Sequence, residues 1–310
     1  VKRIIGRYDG QAHGPLIIAL AALHGNEPAG VFALQTLFQM LEDEPSRNPD
    51  FQFRGRLLGL RGNIQAAERR LRYVRKDLNR QFTPANIKAA RLVPPYRLAF
   101  EDLELVELLQ TIRQEIVDYK PQCLVILDLH TTSASGGIFT LVSEETESLA
   151  LAASLNAPVV RGLVKGIGGT TLHYFNTENM GIPTVAVSFE AGQHDDALSI
   201  QRSIAWLVNV LRAVKSVSPY DVESRHDAIL RNYARHLPKV VEVFHVHPIQ
   251  ANDHFEMAAG FKNFQAVKKD ELLAHDKNGP IYAPKDCLIL MPLYQKQGTD
   301  GFFLVEKKTL

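Results

Sequence analysis

An α/β fold is predicted by three features of the sequence. Over the first two thirds, apolar runs of strand length alternate with segments whose apolar residues recur at helical spacing. The runs are apolar nearly throughout, as in strands covered on both faces. From about Leu237 the texture changes to short apolar pieces separated by turn residues, which predicts a second, mostly β domain. These features divide the chain into residues 1–224, an α/β domain, and residues 225–310, the β-rich one.

The elements follow in order. Residues 1–7 read as a short strand rather than a signal peptide, which makes the cytoplasm the default location. Residues 16–23 form a near-continuous apolar strand. Pro28 suits the first turn of a helix, and Val31, Leu34, Phe38 and Leu41 form its apolar stripe. Residues 51–60 read as a strand. Leu105, Leu109, Ile112 and Ile116 mark a helix that Pro121 ends. Residues 123–127 and 184–189 are short apolar strands, and residues 195–215 a helix carrying the only tryptophan, Trp206. Beyond the boundary, residues 240–246, 288–291 and 302–305 read as strands, and Asn278-Gly279-Pro280 as a turn.

Composition narrows the function classes. Of 310 residues, 45% are hydrophobic and 22% charged, which excludes wholesale disorder. A net charge of +1 gives no case for nucleic acid or an anionic membrane surface. No run of about 18 apolar residues is present, so no transmembrane helix is expected. The two cysteines, Cys123 and Cys287, are far apart in apolar runs and read as buried small hydrophobes, not a disulfide or a thiolate metal site.

Three apolar strands stop at residues suited to a metal. One runs into His24-Gly25-Asn26-Glu27, one into Asp128-Leu129-His130 and one into Glu190-Ala191-Gly192. Ligands of open α/β sheets bind beyond the carboxyl ends of strands, so these residues are expected to gather at one edge. His24 and Glu27 are three apart across a strand-to-helix turn, and His130 would complete a His₂Glu set. Catalytic zinc takes three such ligands and keeps a position for water, whose pKa it lowers to ~7. Glu190 suits the base that moves the water proton. Asp128, two residues from His130, shares its face in a strand and could orient it.

A basic stretch is the second constellation. Nine basic residues lie between Arg54 and Arg80 against two acids, Glu68 and Asp77. A solvated face is the ordinary reading. The alternative is an anion pocket in which Arg72 and Arg80, with Asn79, meet carboxylates through the guanidinium fork.

Taken together, His24-Gly25-Asn26-Glu27, Asp77-Leu78-Asn79-Arg80, Asp128-Leu129-His130 and Glu190-Ala191-Gly192 resemble the succinylglutamate desuccinylase and aspartoacylase family. That family is a branch of the zinc-carboxypeptidase fold, so the resemblance implies a mixed sheet flanked by helices and a smaller β domain over the active-site mouth. It implies hydrolysis of the amide of a small N-acyl amino acid with a free carboxylate. His24, Glu27 and His130 match its zinc ligands, for one Zn²⁺ per chain. Glu190 matches the general base and Arg72 the residue that polarises the scissile carbonyl. Asn79 and Arg80 match the pair that holds a substrate carboxylate.

Two departures bear on the substrate. Residues 175–180 contain no Arg or Lys where aspartoacylase carries an arginine, and residues 298–303 offer phenylalanines where it uses a tyrosine. Both argue against N-acetylaspartate. Gly166-x-Gly168-Gly169-Thr170-Thr171 reads first as a turn and second as a pocket loop replacing those contacts. His245 and His247 share a strand face but lack the carboxylate or thiolate partner of a second metal site. A metallocarboxypeptidase acting on peptides and a non-catalytic binding protein on the same fold are the alternatives. A purely structural zinc site, which normally has four protein ligands, is a weaker one.

Overall fold

The apolar runs of the sequence become neighbouring strands of one sheet. The structure is a computed structural model that describes residues 1–221 and 225–309. β1 (Ile4–Asp9) and β2 (Ala12–Ala21) lead into α1 (Ala29–Arg47), β3 (Arg54–Arg61), α2 (Ile64–Arg69), α3 (Pro84–Arg91) and α4 (Glu101–Tyr119). Then come β4 (Leu124–Thr132), β5 (Phe139–Val142), α5 (Thr146–Ala153), β6 (Val159–Arg161) and the short helices α6 (Leu163–Gly166), α7 (Thr171–Tyr174) and α8 (Thr177–Met180). β7 (Thr184–Gln193), α9 (Leu198–Ala213) and α10 (Arg225–Ala234) follow. The chain ends in β8 (Val240–Pro248), β9 (Glu256–Met257), β10 (Gln265–Val267), β11 (Leu272–Asp276), β12 (Gly279–Tyr282), β13 (Cys287–Leu290) and β14 (Asp300–Lys307).

Among the described residues, eleven strands form one mixed sheet in the order β1-β3-β2-β4-β7-β5-β6-β8-β14-β13-β10. Its centre, β3-β2-β4-β7, is parallel, with β1 and β5 antiparallel beside it. β8 continues the sheet in parallel with β6, and β14, β13 and β10 extend it antiparallel. A separate three-stranded sheet, β12-β11-β9, completes the β-rich C-terminal region. The expected domain boundary borders residues 222–224, which lie outside the described residues.

Strand alternation sorts the core into two layers. Ile17, Ala19 and Ala21 of β2, with Val125, Leu127 and Leu129 of β4, face α1 and α9. Leu16, Ile18, Leu20, Leu124 and Ile126 face α4 and α3 on the other side. Trp206 of α9 is fully buried, stacks on Phe189 at 5.0 Å and donates its indole N–H to Thr140 Oγ1 at 3.0 Å. α4 carries Glu101, Asp102 and Glu104 in its first turn, where the helix dipole favours acids, and stops at the left-handed Lys120 just before Pro121.

The strands run further than their apolar residues. β4 was expected to stop at residue 127 but continues through Asp128 and His130 to Thr132, and β7 continues through Glu190 to Gln193. Pairing between the two strands, with His130 opposite Glu190, holds the polar ends extended. The two cysteines are free thiols, half-buried rather than fully buried as expected. Cys123 lies in the loop preceding β4 and Cys287 at the first position of β13. Among the described residues no helix is long and apolar enough to cross a membrane.

Candidate active site

Alternation also gives the site its side of the sheet. Asp128 and His130 on β4 lie opposite Ser188 and Glu190 on β7, and all four fall on the α3–α4 side. His24 and Glu27 lie in the turn between β2 and α1, where the Glu27 N–H donates to the His24 carbonyl at 3.1 Å. That turn requires Gly25. A Cβ there would lie 2.1 Å from the carbonyl carbon of Ala66 in α2, and the Gly25 N–H donates to the Arg72 carbonyl at 3.1 Å.

Glu27 is the hub. Its Oε1 lies 2.9 Å from His24 Nδ1 and its Oε2 2.9 Å from His130 Nδ1, while the Thr131 N–H donates to the same Oε2 at 3.1 Å. The far nitrogen of each histidine meets another carboxylate. His24 Nε2 is 3.0 Å from Asp77 Oδ1, and His130 Nε2 is 3.0 Å from Asp128 Oδ2. Each carboxylate can hold the Nε2 proton and leave the Nδ1 lone pair directed at the cluster. Burial alone would raise the pKa of Glu27, but the charges of His24 and His130 outweigh it and hold Glu27 well below the carboxylate range. Asp77 is likewise held well below its ordinary value, burial being outweighed by His24 and Arg72. Burial would lower His130, but Asp128 and Glu27 keep it well above the usual histidine value.

His24, Glu27 and His130 are the trio among the described residues that could hold a metal ion, with ligand atoms within 4.8 Å of one another. Two imidazoles and one carboxylate are the donor set of a catalytic zinc site. Two buried oxygens near the trio, Glu190 Oε2 and Asp128 Oδ1, have no hydrogen-bond partner. Unsatisfied acceptors of that kind suit a site built to receive a cation and water. Burial pushes the Glu190 carboxyl up to about 8, with Glu27 and Asp128 adding to the rise and His130 and Arg72 opposing it.

The basic stretch divides between pocket and surface. Arg72 donates from Nε and Nη2 to Asp77 Oδ2 at 3.2 and 3.0 Å, and its Nη1 lies 3.5 Å from Glu27 Oε1. Asn79 is held by the Thr171 N–H, which donates to its Oδ1 at 3.0 Å, and its amide nitrogen lies 3.2 Å from His130 Nε2. Arg80 donates to its neighbour's carbonyl, Asn79 O, at 2.8 Å and pairs with Asp300 of β14. Arg56 and Lys76, by contrast, pair with acids away from the site; Lys76 and Asp102 form an exposed pair, as a solvated face would, whereas Arg56 and Glu115 are largely buried. The segment carrying Arg72 and Asp77 is fixed by the buried Glu101, which accepts from the N–H groups of Val74, Arg75 and Lys76 and from Asn63 Nδ2.

All seven expected site residues, His24, Glu27, Arg72, Asn79, Arg80, His130 and Glu190, line one cleft of about 760 Å³ including its open mouth. Asp77 and Thr171 appear in the sequence only within motifs and without roles of their own, although Asp77 is one of only two acids in the basic stretch. Thr171 donates its hydroxyl to Asp128 Oδ2 at 2.6 Å. Asp300, 220 positions from Arg80, left no sequence signal. The glycine pattern is more than a turn, because Ile167, Thr170 and Thr171 line the cleft. Gly169 is left-handed (φ +71°), and a Cβ there would lie 2.3 Å from the Arg80 carbonyl oxygen. His245 and His247 lie outside the trio, 6.3 Å apart, with His247 stacked on Phe302.

Comparison with known proteins agrees with this geometry. A model of the succinylglutamate desuccinylase/aspartoacylase catalytic domain matches residues 13–214. A probable aspartoacylase from Nostoc sp. strain PCC 7120 is 28% identical over 129 residues, 42% of this chain and 39% of that protein. The match thus spans well under half of that relative. The fold resembles a succinylglutamate desuccinylase/aspartoacylase of Rhodobacter sphaeroides, with a TM-score of 0.65, 18% identity and coverage of 96% of this chain and 86% of that one. It also resembles murine aminoacylase 3, with a TM-score of 0.62, 15% identity and coverage of 96% of both chains. On the strength of the domain match, which takes in β2, β4 and β7 and the residues at their ends, the chain belongs to the succinylglutamate desuccinylase/aspartoacylase family.

Proposed function

We propose that the chain is a zinc-dependent amidohydrolase that deacylates a small N-acyl amino acid bearing a free carboxylate. The observation that carries this reading is Glu190. It is a buried carboxylate with an unpartnered oxygen, raised pKa and a position opposite His130 in the sheet. A group in that state is poised to accept and return a proton.

His24, Glu27 and His130 would hold the ion. Bound there, Zn²⁺ supplies Lewis acidity, lowering the pKa of a water and polarising a carbonyl. The chain's own residues do the rest. Asp77 and Asp128 fix the tautomers of His24 and His130. Glu190 takes a proton from the attacking water as the C–O bond forms. It returns that proton to the amide nitrogen as the C–N bond breaks, and the remaining hydroxyl proton passes through Glu190 to the amine, so a carboxylate and an ammonium group leave. Arg72, steadied by Asp77 and Glu27, offers its guanidinium to the oxyanion. Arg80 and Asn79 orient the substrate carboxylate. Arg80 commits two N–H groups to protein acceptors and so keeps donors free for a ligand.

Residues 225–310 narrow the mouth in this reading, through Met291, Leu293, Gln295 and Phe303. The room inside the cleft, about 100 Å³ without its open mouth, suits a small molecule better than a polypeptide. Glu190→Gln tests the proposal. It should keep its zinc and lose about 10²–10⁴ in kcat on whichever N-acyl amino acid the wild type cleaves. An unchanged kcat contradicts the mechanism.

A further inference from the structure

The cleft contains only two permanent cations among the described residues, Arg72 and Arg80. Both are already matched to carboxylates of the chain. Arg72 is bound to Asp77 and approaches Glu27. Arg80 is bound to Asp300, whose Oδ2 also accepts the Thr299 hydroxyl at 3.1 Å. Asp300 stands at the first position of β14, and its side chain is only 14% exposed. The Arg80 guanidinium is also held by its bond to Asn79 O at 2.8 Å, so the ion pair is built into the site. Away from the charged residues the wall mixes an apolar part, formed by Leu141, Leu163, Ile167, Leu172, Met291 and Phe303, with uncharged hydroxyl and amide groups such as Thr131, Ser133 and Gln295.

This arrangement bears on the substrate, granted the deacylase reading above. One substrate carboxylate can use the remaining donors of Arg80, although it shares that charge with Asp300. A second carboxylate, on the side chain or the acyl group, finds no unmatched cationic side chain. It would meet apolar side chains, uncharged hydroxyl and amide groups, or the like charge of Asp300, none of which neutralises it. We propose that Asp300 is a specificity-determining residue, and that the site takes monoanionic N-acyl amino acids with an apolar side chain while rejecting dianionic ones. The apolar wall receives that side chain, and Asp300 withholds from Arg80 the full charge that a dianion would need.

The test uses the zinc-loaded full chain and four compounds: N-acetylleucine, N-acetylphenylalanine, N-acetylaspartate and N-acetylglutamate. Wild-type kcat/KM should favour the first two over the last two by about 100-fold or more. Binding to Glu190→Gln, measured by calorimetry, should show the same order without turnover. Asp300→Asn keeps the hydrogen-bond geometry and removes the charge. It should narrow the monoanion-to-dianion ratio by about tenfold in both measurements. Should Asp300→Asn fail to fold, the wild-type and Glu190→Gln orders decide the question. A wild type that cleaves or binds the dianions as well as the monoanions overturns the proposal but leaves the deacylase reading standing. So does a folded Asp300→Asn with an unchanged ratio. A panel neither bound nor cleaved overturns the deacylase reading and this proposal with it.

Discussion

Glu27 reaches both histidines through separate oxygens, and each histidine is backed by its own aspartate. Asp77→Asn and Asp128→Asn should each leave the fold intact and lower metal affinity by about 10–100-fold, read by chelator competition, because an amide presents no charge to the ring N–H. The charge on Glu190 has a stability consequence. Its pKa rises from an ordinary 4.5 to about 8 on folding, so the folded state binds the extra proton between those values. Stability of the metal-free protein should therefore fall as pH rises through that window, and Glu190→Gln should remove that component of the decline. Thermal melts of chelated wild type and variant at pH 5 and pH 8 check this. A parallel pH response in the two proteins would contradict it. At this scale His24, Glu27, His130 and Glu190 were legible because they sit at the ends of apolar strands. Asp77 and Asp300 act through tertiary pairing over 53 and 220 positions, which no local spacing encodes.

Gly25 lets the turn after β2 close against α2, and Glu101 at the start of α4 gathers three backbone N–H groups of the Arg72 segment. Gly25→Ala should cost about 1–3 kcal/mol, since backbone rather than a flexible side chain blocks the methyl group, and should weaken metal binding by shifting His24. Denaturant melts and metal titration measure the two effects. Between α9 and α10, Asp227 pairs with Arg212 and lies 3.0 Å from Arg231. Burial alone would raise its pKa, but those arginines hold it below the ordinary value. The contribution is fully present above the unfolded carboxylate pKa and vanishes as pH falls through the lowered folded one. Asp227→Asn should thus lower stability by about 1 kcal/mol at neutral pH, with its melting curve converging on wild type in acid. The helices were legible from their apolar stripes, but the ends of β4 and β7 were not. Cross-strand pairing carries both strands through polar residues that apolar periodicity takes as their ends.

Across the whole molecule, the alternation of apolar runs with helical stripes predicted a sheet covered on both faces, and the structure has one. The change of texture near residue 237 marked the β-rich region. It did not reveal that β8, β14, β13 and β10 join the central sheet, because a β6–β8 partnership some 80 positions apart is a matter of edge availability rather than local pattern. That continuity carries Met291, Asp300 and Phe303 to the cleft that β2, β4 and β7 open at their carboxyl ends. The central claim is that His24, Glu27 and His130 hold one catalytic zinc. Its most direct test is to strip the wild-type chain with a chelator and return zinc stepwise while following release of free amino acid from N-acyl substrates. Activity rising to a plateau at about one equivalent per chain, and absent at every step in His24→Ala, is the predicted result. Hydrolysis that ignores zinc, or that survives in His24→Ala, would contradict it.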